Sequence, residues 1–288
     1  MGHHFVPQAY LRGFQDPSRP GFIWVQARRE PNPRSASIED VAQSRGFYDA
    51  ETEHLLASSV EGPTNPVLAK LRAGELPTER ERVALAVYLA TMIKRVPRNR
   101  IRGRAMAPQV LEEVANGFRR QVEELAELGQ ISPNLARRRL QELEVACARF
   151  TRDLPELALK QINDLRPSVQ MIEAILSMRW RMVRAREPEF FITSDNPAFY
   201  HAAYGLGTEH SELRFAISPQ LALHGCRAVD AKEVVSIHDL PRDWVREFNR
   251  GVASGASSIA MSHRRADFLG TLLRRKNPYL FRLVWDAA

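Results

Sequence analysis

The chain has 288 residues, 44% of them hydrophobic and 26% charged, with a formal net charge of +7. That is enough chain to bury one large core, or a helical body with a smaller appended part, and the balance excludes a disordered or fibrous protein. The positive charge suits a polyanionic partner, because cationic side chains that neutralise phosphates release counterions; arginine in excess of lysine beside abundant alanine has an equally good origin in a GC-rich coding sequence.

No apolar window reaches the ~20 residues of a membrane-spanning helix. VALAVYLATMI, the best of them, ends in Lys94 and Arg95 and reads as a buried helix. The N-terminus carries no basic segment followed by an apolar run, so the expectation is a cytoplasmic protein without membrane contact. Cys147 and Cys226 offer neither metal-ligand spacing nor a disulfide framework and read as small buried hydrophobes.

The chain opens MGHHFVPQAYLRGF. His3 and His4 titrate near neutrality, can act as general base and can ligate a transition metal. Neighbours in a strand point to opposite faces, so one histidine would ligate while the other serves as base. Phe5, Val6, Pro7, Tyr10, Leu11 and Phe14 are too apolar for a frayed tail, and the segment is expected to be tied down.

FIWVQAR, bounded by Pro20-Gly21 and Glu30-Pro31, reads as a strand, and SIEDVAQS as a short capped helix. From Glu51 to about Arg186 the pattern is helical almost throughout, punctuated at EGPTNP, GELPTERE, RVPRNR, GQISPN and RDLPE. Thr78 and Glu81 form a capping-box signature. The helix they open carries Val83, Leu85, Val87, Leu89, Met92 and Ile93 on more than one face and should be central. VLEEVANGFRRQVEELAELG and LARRRLQELEVACARF read as an antiparallel pair of surface helices. KRVPRNRIRGR and RWRMVRAR are the best stretches for phosphate contact, since the guanidinium fork matches phosphate oxygens. Arg95 and Arg98, leaving the apolar helix, are the two that would point toward a site.

After Pro188 the runs FFIT, LRFAIS, LALHG and EVVSI are short and β-like. A last helical stretch, DWVREFNRGVASGASSIAMS, precedes ADFLGTLLRR and the terminal YLFRLVWD. The expected fold is a mainly helical α+β single domain. A helical body at about 51–186 accompanies a sheet-containing part at 1–50 plus 188–288, with a small, mostly antiparallel sheet shared by the N-terminal strand and the late strands.

ITSDNPAF places Ser194, Asp195 and Asn196 at a strand-to-loop junction before Pro197. Asp195 can ligate a hard cation or orient a histidine, and Asn196 can bind substrate or assist a metal. The plain alternative is a turn in which these side chains satisfy their own backbone. The remaining histidines form no HxH or HExxH spacing, and only His201, five residues past Asn196, stays in reserve. The absence of a glycine-rich phosphate loop, a GxSxG elbow and a dinucleotide fingerprint removes several large enzyme classes.

The pair HHFVPQAYLRGF and ITSDNPAF, with FIWVQ, SIEDVAQSRGFYD, FAISPQLAL and a late helix carrying Asn249 between and after them, resembles the bacterial family catalogued as domain of unknown function 4238. The resemblance covers nearly the whole chain. HHFVP alone also looks like the first motif of His-Asn-His nucleases, which implies a metal ligand at His3 and a base at His4. The chain departs from that pattern: no asparagine-and-histidine helix follows within a few dozen residues, and zinc-knuckle cysteines are absent.

Three functions follow as expectations. The first is a hydrolase dependent on a divalent metal ion, a phosphodiesterase or nuclease. In it His4, Asp195 and Asn196 are catalytic, His3 and Asp195 hold the metal, and Gln8, Arg95, Arg98 and Asn249 bind substrate. The second is a non-catalytic module that binds a nucleotide, nucleic acid or another phosphate-bearing ligand. In the third the same motifs lock the two chain ends together through buried hydrogen bonds.

Overall fold

A computed structural model describes residues 2–163, 167–201, 205–227 and 234–275. The chain divides into two compact units: Met1–Arg98 with Leu165–Ala288, and Asn99–Asp164. The fold is α+β with a helical majority. Among the described residues no helix is long and apolar enough to cross a membrane.

In the larger unit β1 (Gly2–His4) pairs antiparallel with β4 (Gln43–Arg45), His4 opposite Gln43. After Pro7 the chain turns into the short helix α1 (Gln8–Leu11) and a 3-10 turn (Arg12–Phe14), where Tyr10, Leu11 and Phe14 enter the core. The segment is therefore tied down by burial, as its apolar content requires.

A four-stranded sheet runs in the order β3 (Arg34–Ser37), β2 (Phe22–Ala27), β11 (Ile259–Ser262), β6 (Thr193–Ser194), all antiparallel. The FIWVQ strand thus joins strands from the far end of the chain, with Ile23 and Val25 buried. A second sheet of five strands runs β10 (Val234–Asp239), β5 (Met178–Arg184), β9 (Leu221–Arg227), β8 (Glu212–Ala216), β7 (Ala198–Tyr200). Only the β10–β5 pair in it is parallel.

α2 (Ala50–Leu55), capped by Asp49, continues through a π turn (Leu56–Glu61) into α3 (Gly62–Arg72). EGPTNP makes no break there: Pro63 comes just after the π turn, and Pro66 is carried inside α3. α4 (Glu79–Arg95) opens with both bonds of the Thr78/Glu81 capping box and buries side chains all around its last three turns, the central position its composition demands. α7 (Val169–Leu176), α8 (Arg242–Gly255) and α9 (Phe268–Arg274) complete the unit. The terminal YLFRLVWD lies outside the described residues. The smaller unit is a helical hairpin of α5 (Pro97–Glu127), which enters it at Asn99, and α6 (Pro133–Asn163), joined by residues 128–132.

Three expectations about local structure are corrected. SIEDVAQS is a turn between β3 and β4, because the Ile38 amide donates to the Gly21 carbonyl and Ala42 takes a φ of 53°, which no helix accommodates. RWRMVRAR lies not in the helical body but largely in β5: Met178, Trp180 and Met182 alternate inward at period two, and strands flank it on both sides. IAMS, read as the tail of the last long helix, is β11, since α8 stops at Gly255 and Ala256 turns extended.

Candidate functional site

The histidine motif lies half-buried at the start of the larger unit. The His3 ring stacks on Tyr48 at 5.0 Å between centroids. The Gln8 amide donates to His4 Nε2 at 2.9 Å, and Arg12 in turn reaches Gln8. Burial lowers the His4 pKa below its ordinary 6.5, against the pull of the Val41 carbonyl and the Glu53 carboxylate, so the ring is neutral at pH 7.

The backbone carbonyl of His4 is clamped from two sides, by the Tyr48 hydroxyl and by the Arg95 guanidinium. Arg95, 2% exposed, also donates to Tyr48 Oη at 2.9 Å and forms an ion pair with Glu61 at 2.6 Å. Burial pushes the Tyr48 phenol up to about 12, keeping it a neutral donor. Arg95 does point inward, as its place at the end of α4 suggested, but its fork is taken up by Glu61, Tyr48 and the His4 backbone. Its position suits orienting the motif.

Asp195, 2% exposed, accepts three backbone N–H bonds, from Ser257 at 2.7 Å, Ser258 at 2.7 Å and Ile259 at 3.1 Å. Burial raises its proton affinity while those amides favour the ionised form. The Ser194 hydroxyl bonds both the amide and the carbonyl of Asn196 and closes a local turn, whereas Asp195 and Asn196 reach backbone far along the chain rather than their own. Asn196 Nδ2 donates to the Gly255 carbonyl at 3.0 Å. A Cβ at Gly255 would stand 2.9 Å from the Phe199 ring, which explains a glycine at that crossing. Asn249 brackets the approach to β6, accepting from the Ile192 amide and donating to the Phe190 carbonyl.

The two motifs are joined by contacts. Tyr10 of the first accepts from the Thr193 hydroxyl of the second at 2.7 Å, and donates to the Ala216 carbonyl at 2.8 Å. At the end of α4, Arg95 holds the His4 carbonyl, and three residues on Arg98 donates to the Ser254 carbonyl at 3.2 Å, beside the Gly255 that Asn196 grips.

A further polar cluster lies on the face of the five-stranded sheet under α8. Arg214 and His224 sit opposite each other on β8 and β9, and both bond Glu212 Oε1, at 2.6 and 3.0 Å. His201 Nε2 lies 3.4 Å from the other Glu212 oxygen. Although burial pushes the Glu212 carboxyl up, hydrogen bonds from His201 and His224 and the charge of Arg214 hold it well below the carboxylate range. Arg214 also donates to the Glu247 carbonyl, binding the sheet to α8.

The histidine motif's immediate neighbours, Tyr48, Glu53 and Glu61, are absent from the sequence-based candidates. FYD and the α2–α3 helices carry no spacing that relates them to residue 4. Among the described residues no group of three or more histidine, cysteine, aspartate or glutamate side chains is placed to hold a metal ion.

Compared with known proteins, the chain matches one family model, over residues 2–266. No curated protein and no solved structure matches it.

Proposed function

We propose, for a chain that belongs to the family described as Protein of unknown function (DUF4238), hydrolysis of a phosphodiester in a nucleotide or nucleic acid at the half-buried histidine motif. His4 is the general base. Its Nε2, whose lone pair the Gln8 amide caps, takes the proton of a water that displaces Gln8 and attacks phosphorus; the nearby Glu53 carboxylate stabilises the imidazolium that forms, and the departing oxygen takes a proton from solvent water. His3, Gln8 and the exposed Arg98 bind the phosphate-bearing substrate, and Arg95 positions His4. Asp195, Asn196 and Asn249 build the neighbouring turn that receives α8 and β11. Any divalent cation arrives on the substrate's phosphate oxygens, since both Asp195 oxygens are engaged by amides.

One observation carries this reading: a buried arginine, Arg95, paired with the half-buried Glu61, fixes the backbone carbonyl of a single histidine. Taking a guanidinium out of water costs several kcal/mol, roughly, before its attraction to Glu61 is counted. Such an arrangement suits a site where imidazole orientation matters.

The test is turnover of RNA, single-stranded DNA and a bis-nitrophenyl phosphate diester with magnesium, manganese or zinc, and with chelator. His4→Ala is expected to lower the rate by about 10²- to 10⁴-fold. Turnover unchanged in that variant removes His4 as base. Salt-dependent nucleotide binding with no turnover replaces the reading with a binding module.

A further inference from the structure

The smaller unit leaves one apolar face of α5 uncovered. Ala115 and Val122 are buried, whereas Val110, Val114 and Phe118, four residues apart in turn, are 50%, 65% and 42% exposed. Ala115 lies one residue, about 100° around the helix, from Val114, and Val122 continues the four-residue spacing of the exposed row, so a single broad apolar face is half covered. Large apolar side chains repeated at one helical spacing mark an interaction surface, unlike singly scattered ones.

Charge along the same helix says what covers it. α5 begins RNRIRGR and has no acidic residue before Glu112, while Glu123, Glu124 and Glu127 gather at its end. A polyanionic surface such as a nucleic acid or an acidic bilayer would meet the acidic end unfavourably. An antiparallel copy of the helix meets both ends with opposite charge.

We propose that α5 pairs antiparallel with α5 of a second copy of this chain, about a two-fold axis at Val114. In that register Val114 faces Val114, and Val110 faces Phe118 of the second copy. The stretch 101–104 comes level with the Glu124–Glu127 turn. No like charges are brought together: Glu112 and Glu113 stand level with Asn116 and Ala115, and Arg119 and Arg120 with Gln109 and Pro108. Every contact occurs twice, as in any isologous interface. The helix, 31 residues or about 46 Å long, gives the seam several turns on each side of the axis.

The full-length chain at tens of micromolar is expected to sediment as a dimer, and Val114→Arg, which sets two guanidinium groups on the axis, to raise the dissociation constant at least about tenfold with an unchanged circular dichroism spectrum. In a Cys147→Ser, Cys226→Ser background, Val114→Cys is expected to form a disulfide-linked dimer on mild oxidation. The inference is overturned if the wild-type chain is monomeric, or if its dimer is indifferent to Val114→Arg and does not cross-link through position 114. A monomer that binds anionic phosphatidylserine vesicles and loses binding in Val114→Arg overturns it in favour of a lipid surface.

Discussion

The Tyr10 hydroxyl lies 2.7 Å from the Thr193 hydroxyl, 183 residues later in the chain, and donates to the Ala216 carbonyl; the ring is fully buried. One phenol therefore ties the histidine motif to both sheets, because Thr193 belongs to β6 and Ala216 to β8. Tyr10→Phe keeps the ring and strands two buried polar groups. It is expected to cost about 1–3 kcal/mol, read as a lower urea midpoint with an unchanged m-value.

Asp195 organises the entry into β11 by accepting three amides. Asp195→Asn keeps the shape but loses the charge-assisted bonds, and a loss of about 1.5–3 kcal/mol is expected. Thermal unfolding measures it. Because the role is structural, the folded variant is expected to retain phosphodiester turnover within a few-fold, whereas His4→Ala is not.

Glu212 pairs with the fully buried Arg214 at 2.6 Å. Glu212→Gln removes the carboxylate charge from that buried pair beneath α8 and is expected to destabilise by about 3–5 kcal/mol. Adding Arg214→Met to the same chain is expected to recover part of the loss, which a double-mutant cycle in urea detects.

His4, His224 and His263 all have pKa values lowered by burial from 6.5. The unfolded chain then binds more protons than the folded one in the window below 6.5, so stability rises with pH there. The contribution is complete above 6.5 and is lost as pH falls through the folded pKa values. Unfolding midpoints measured from pH 7.5 to 5 are expected to fall steadily below 6.5. Turnover is expected to keep its acid limb below 6.5 as well, and a limb above that value would contradict His4 as the base.

Arg95→Lys retains the charge and loses the fork. One ammonium cannot serve Glu61, Tyr48 and the His4 carbonyl in the geometry a guanidinium allows. A loss of about 1–3 kcal/mol is expected in denaturant. Since Arg95 acts through His4, kcat is expected to fall with KM little changed.

Local rules were legible where one element answers to its own residues. The Thr78/Glu81 cap, the all-round apolar character of α4, the FIWVQ strand and the burial of Phe5 to Phe14 follow from residue type and spacing. β5 was misread because arginines alternate with its apolar residues, and an Arg-rich run between helices imitates a solvated helix until strands pair on both sides. The alternation in ELRFA pointed Glu212 and Arg214 to the face opposite Leu213 and Phe215, which by pattern alone is the wet one. α8 covers that face and converts a surface pair into a buried ion pair.

By itself the sequence determined elements that answer to their own residues, such as the α4 helix and the FIWVQ strand, the family to which the chain belongs, and the two polar motifs most worth attention. Tertiary structure alone decided what those motifs touch. A hydrogen bond between residues 10 and 193, or an arginine at 95 gripping the carbonyl of residue 4, has no local periodicity to announce it. Such contacts exist only because the core that α1 and α4 share with the sheets brings distant backbone groups out of water together, where each must find a partner.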